Sequence, residues 1–206
     1  MTIPKPGKTV VIGSIMGVFV GALVILGIRF VTYKLETVHY HANFAAYING
    51  KEQSFNGAMY FLDGGCTMSN KMTPERRAHM VQGIPGVVHV QDNAVTWGQF
   101  FENIGWYVGP DFIETSDGTM YKTDGQNKLH IIIDGQDYTR LGGITDQAIK
   151  DKDRLLLSFG NENQAVVDQQ YKSVPTTAAR YDGMKNASAC GHTTKLTVKD
   201  RLAHLL

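Results

Sequence analysis

Cysteine is scarce in this chain, with two in 206 residues, Cys66 and Cys190. That excludes a small disulfide-dense scaffold and leaves at most one internal bridge, Cys66 to Cys190, whose alternative is a pair of free thiols. A dominant charge is missing too. Twenty Lys and Arg stand against nineteen Asp and Glu, a net charge of +1. Without a basic footprint, nucleic acid is an unsuitable partner. Catalytic signatures are also missing. There is no G-x-S-x-G elbow, no H-E-x-x-H helix, no P-loop and no G-x-G-x-x-G after a strand. The acidic residues fall in polar turns such as TSDGTMYKTDG rather than as a pair set into an apolar stretch. These absences weigh against an enzyme and for a binding or contact module.

Charge is missing locally from TVVIGSIMGVFVGALVILGI, residues 9–28, which lie between Lys8 and Arg29. Twenty apolar residues are what a helix needs to cross the hydrocarbon layer. No small-residue cleavage pattern follows, so the segment reads as an uncleaved anchor rather than a removed signal. Gly13, Gly17 and Gly21 recur every four residues within it. That spacing allows close helix approach, and a homodimer through the membrane is the corresponding expectation. Lys5 and Lys8 before the span are nearly balanced by Arg29 and Lys34 after it. Orientation therefore rests on mass: almost all foldable chain follows the anchor. We expect a plasma-membrane, single-pass protein with a cytoplasmic N-terminus and an extracytoplasmic C-terminal domain, and with Tyr33 and Tyr40 at the membrane interface.

The remaining chain punctuates itself clearly. ANFAAYINGKEQSF and KLHIIIDGQDYTRL each place an Asn-Gly or Asp-Gly pair between apolar runs, the signal of a two-residue hairpin. GVVHVQD reads as a short strand. TWGQFFENIG reads as a helix with Thr96 as N-cap, Gln99 closing a capping box and Gly105 as stop. Of its phenylalanines, one of Phe100 and Phe101 is expected deep in the core and the other under a neighbouring loop. A second short helix near Thr145 to Ile149 should lead into the strand DRLLLSFG, and a polar helix with Asn161 as N-cap should follow. The small-residue stretch SVPTTAARYDGMKNASACGHTT reads as a linker or tail. Its end, KLTVKDRLAHLL, sets Val198, Leu202, Leu205 and Leu206 roughly on one face, for docking on the domain or, alternatively, on the membrane surface.

The fold class is therefore α+β: a transmembrane helix followed by a mostly antiparallel sheet domain with two hairpins and short helices, the second half weakly β-grasp-like by element order. The expected divisions are 1–8 tail, 9–30 anchor, 31–160 domain, and 161–206 a helix with a flexible tail.

Histidine supplies the candidate chemistry. His39 and His41 would project together from a strand, since residues i and i+2 share a side, and His79 and His89 fall in or near the next strands. Such a set suits Cu or Zn. Cys66 offers an optional thiolate, and the Cys-Gly-His at 190–192 adds two further ligand types. The opposing picture leaves His39 exposed and unpaired in the membrane-proximal linker, with only His41 touching the domain.

The segments HANFAAYING, AHMVQGIPGVVHVQD, VTWGQFFENIGW and KLHIIIDGQDY together resemble an uncharacterised family of small membrane-anchored proteins of Saccharibacteria-type ultrasmall bacteria, over most of residues 38–160. In that family the middle segment reads H-x-H, a turn, then V-I-H-V-H, a two-strand histidine clamp. Here Val81 and Gln91 stand at two of those positions, while His79 and His89 remain. The resemblance implies an envelope location and this fold. The functional expectation is a non-catalytic envelope module contacting a wall component or a surface protein; the alternative is a transition-metal protein built on the strand histidines.

Overall fold

A computed structural model describes residues 7–33, 38–61, 73–81, 83–139, 143–182 and 198–203. The chain forms two compact units, one of Met1–Glu36 with Thr193–Leu206 and one of Thr37–His192. Cys66, Cys190 and His192 lie outside the described residues, so the choice between a Cys66–Cys190 bridge and free thiols, and the Cys-Gly-His ligands, fall outside them as well.

In the first unit, α1 runs Lys8–Thr32. Its stretch Val11–Thr32 is long and apolar enough to cross a membrane, and none of that stretch is buried. The helix fits a membrane anchor. A Cβ built on Gly13, Gly17 or Gly21 meets nothing within 4 Å, so this face of α1 is open. The short helix α5, Val198–Ala203, belongs to the same unit.

The second unit is α+β. Its main sheet is built from β1 (Tyr40–Ile48), β2 (Lys51–Glu52), β3 (Ala78–Met80), β4 (Val87–Val90), β8 (Lys128–Ile133), β9 (Gln136–Asp137) and β10 (Arg154–Gly160). The strand order is β3-β4-β1-β10-β8-β9, with β2 also on β1. A smaller sheet holds β5 (Tyr107–Val108), β6 (Phe112–Glu114) and β7 (Met120–Lys122). Both hairpin signals are realised. Asn49 and Gly50 take φ 50° and 73°, and Asp134 and Gly135 take 50° and 79°, the positive values that a type I′ turn demands. Most pairings are antiparallel, but the central one is parallel: Asn43–Ile48 on β1 runs beside Arg154–Phe159 on β10.

Alternation along β1 divides the two faces. Ala42, Phe44, Ala46 and Ile48 enter the principal core, where Phe44 meets Phe100 and Phe101 of α3 (Trp97–Asn103) with ring centroids 5.1 and 5.6 Å apart. Thr96 caps α3 through a reciprocal capping box with Gln99. Both phenylalanines are fully buried, which corrects the expected split between core and loop. Ala45 and Tyr47 point to the opposite face, under α4 (Gln164–Ser173). Two local expectations change. The residues near Thr145–Ile149 form turns rather than a helix, and Ala148 pairs instead with Thr96 as an isolated antiparallel bridge. The cap of α4 is Asn163, whose side chain accepts from the Val166 N–H, not Asn161. Tyr40 is half-buried in β1 and donates its hydroxyl to the Ile149 carbonyl at 2.7 Å.

Candidate metal centre

Strand register assembles the site. On the antiparallel ladder between β1 and β4, His41 stands directly opposite His89, and on that between β4 and β3 (preceded by α2, Pro74–Arg77) His89 stands opposite His79. Directly paired residues share a face, so three imidazoles form a row across the strands on the side of β1 away from α3. His39, two residues before His41, joins that side. Ring centroids lie 4.8 Å apart for His41 and His89, which stack, 4.8 Å for His39 and His89, and 5.1 Å for His39 and His41. One ligand atom from each of His39, His41 and His89 falls within 4.8 Å of the others. This group can hold a metal ion.

The picture of an exposed, unpaired His39 is half corrected. The residue is exposed, as that picture requires, but its ring packs against both partners. His79 stands at the end of the row, 5.0 Å from His89 between centroids, and does not join the close group. His79 also borders a cavity of about 380 Å³ together with Tyr60, Phe61, Glu75 and Asn103. Its Nδ1 is buried without a hydrogen-bond partner.

A carboxylate completes the arrangement. Asp182 Oδ1 lies 3.0 Å from His41 Nδ1. That contact makes Nδ1 the proton-bearing nitrogen and turns the Nε2 lone pair outward, the orientation that second-shell carboxylates impose on metal-binding histidines. Asp182 reaches this place through Asn43. The Asn43 side-chain oxygen accepts from the Ala178 N–H at 2.9 Å, and its amide donates to the Thr177 hydroxyl at 3.4 Å. These bonds pin the 3-10 turn Ala178–Arg180 over β1 and deliver Tyr181 and Asp182 against His41. Lys152, whose backbone N–H donates to the His41 carbonyl at 2.8 Å, places its ammonium 3.6 Å from the other Asp182 oxygen. The Gln91 amide nitrogen sits 3.3 Å from His89 Nε2, so it must turn aside if that nitrogen is to take an ion.

Burial keeps the row ready for coordination. His41 and His89 are 1% and 3% exposed. Burial lowers the His41 pKa against the opposing pull of Asp182. His89 is pushed down to about 2, by burial first and then by its imidazole neighbours, and His79 to about 4, chiefly by burial. A neutral imidazole offers its lone pair without first losing a proton.

Neither protein-family models, nor curated proteins, nor solved structures match this chain. The histidine spacing is visible in the sequence, whereas nothing there points to Asp182 beyond one acidic residue in a stretch otherwise read as linker.

Proposed function

We propose that this protein is a membrane-tethered module that binds one divalent transition-metal ion, zinc or copper, through His39, His41 and His89, with Asp182 orienting His41. The observation that carries the reading is the convergence of three imidazoles, two from facing strands and one just before β1, with the two strand residues buried and neutral. Structural and catalytic zinc alike accept imidazole nitrogen at about 2.0–2.1 Å. Ligand nitrogens on a tetrahedral ion then stand about 3.4 Å apart by simple geometry, so the three rings need to close inward modestly from the 4.8 Å they span. Three protein ligands leave a fourth position for water or a further donor. The anchor and the mass of chain beyond it support an extracytoplasmic setting, where an ion would be captured or held at the envelope. The envelope-contact reading shares the same anchor and differs in what is bound; the histidine cluster favours the ion.

The test is competition of the purified full chain in detergent against a chelator of known affinity, with Zn²⁺ and Cu²⁺ in turn. One ion per chain, bound below micromolar, is expected, with loss of that binding in His41→Ala and in His89→Ala. Equal affinity in wild type and both variants refutes the site.

A further inference from the structure

The C-terminal helix carries a second contact. A helix leaves its last carbonyls without intrahelical partners. At the end of α1 two such oxygens and that of the following residue converge on one side chain. Arg201 Nη1 of α5 donates to the carbonyls of Phe30, Val31 and Tyr33 at 2.6, 3.2 and 3.2 Å. The guanidinium also lies over the Phe30 ring, 5.8 Å from its centroid. A cation here suits the negative end of the helix dipole as well. Arg201 is separated from these residues by about 170 positions, so the contact is a tertiary one.

Position decides what surrounds α5. The 22-residue stretch Val11–Thr32 spans about 33 Å as a helix, close to the ~30 Å hydrocarbon core. Carbonyls 30 to 33 therefore stand where the chain leaves hydrocarbon for headgroups. A helix pinned to them lies in that boundary. Val198 and Leu202, four residues apart and so on one face, are 65% and 56% exposed, and Lys199, one position on from Val198, is exposed too. Apolar residues backed by Lys199 and Arg201 form the pattern of an interfacial helix.

We propose that α5 is a membrane-interface latch: Arg201 closes the carbonyl end of α1, and Val198 and Leu202 enter the lipid boundary. The intervening domain is then tethered to the bilayer at both its chain ends. This rests on α1 spanning the membrane and is independent of the metal.

The experiment places a benzophenone-bearing phenylalanine at 198, 199 or 202, one at a time, in the full chain reconstituted into nanodiscs of phosphatidylcholine and phosphatidylglycerol. After irradiation, adducts are identified by mass spectrometry. Lipid adducts are expected from positions 198 and 202, few from 199, and loss of the adducts at 202 when Arg201→Gln is added. Crosslinks from 202 to the chain's own domain, to a second copy, or to nothing overturn the proposal, as do lipid adducts unchanged by Arg201→Gln. Resistance of the same protein to alkaline carbonate extraction reports on α1 separately, so a failed latch is distinguishable from a failed anchor.

Discussion

Acid should unfold the metal-free domain through its buried histidines, and the size of the effect follows from the site. His79 and His89 have folded-state pKa values of about 4 and about 2, both below the ordinary 6.5. The unfolded chain therefore takes up protons below pH 6.5 that the folded chain refuses, so stability falls as pH drops through 6.5. It keeps falling until the folded values are reached. For a group with so depressed a folded value, the loss between pH 7 and pH 5 is about 2 kcal/mol, and the two together reach about 4 kcal/mol. Asp153 acts the other way. Burial, with the Asp134 carboxylate beside it, raises its pKa to about 6, so the folded state gains a proton as pH falls and recovers about 1 kcal/mol over the same interval. The net loss of about 3 kcal/mol is a large part of a typical domain's 5–15 kcal/mol. Urea titrations of the full chain in detergent, with a chelator present, at pH 7, 6 and 5 measure it. The two tryptophans, Trp97 and Trp106, are both buried in the domain, so their fluorescence reports on that unit alone. His79→Gln with His89→Gln should flatten the dependence or reverse its sign. An unaltered pH slope in that double variant would refute the account of the row.

Asp182→Asn removes the carboxylate on His41 Nδ1 while keeping its volume. Metal affinity should drop by about 10- to 100-fold, as for other second-shell losses, with little change in thermal midpoint; an affinity within error of wild type would show that Asp182 does not orient the ring. Phe100→Ala and Phe101→Ala should each cost about 3–5 kcal/mol in urea titration, since both rings are wholly enclosed, and a cost below 1 kcal/mol for either would place that ring outside the core. Gly98→Ala should be strongly destabilising in the same assay, because a Cβ there meets the Thr145 backbone at 2.8 and 2.9 Å; neutrality would mean that α3 and the 143–149 segment separate freely.

What could be read in the sequence was local. Asn49-Gly50 and Asp134-Gly135 dictate their turns by the φ values they tolerate, and Thr96 with Gln99 dictates the start of α3, whatever surrounds them. Elsewhere distant partners outcompete local signals. Thr145–Ile149 looked helical, yet Ala148 is held by Thr96 and the Ile149 N–H by the Val95 carbonyl, an extended pairing from fifty residues away. Asn161 and Asn163 are equally good caps. β10 continues to Gly160, and the chain needs the intervening residues to turn, so the later one serves. The His-x-His spacing announced a shared face, but only register sets His89 beside His41. Asp182 lies 141 residues from its partner, and no pattern of spacing reaches that far.

The parallel pairing of β1 with β10 has a consequence for biosynthesis. Its two strands are more than a hundred residues apart, and joining them closes a long loop before any of their contacts form. As the chain leaves the ribosome, β1 emerges directly behind α1 and must wait, with its edge unsatisfied, until Arg154–Gly160 has been made. Asp182 arrives later still. His39 and His41 are thus among the first polar residues of the domain to appear and among the last to find their final surroundings, so an ion bound as proposed would load at the close of assembly rather than seed it.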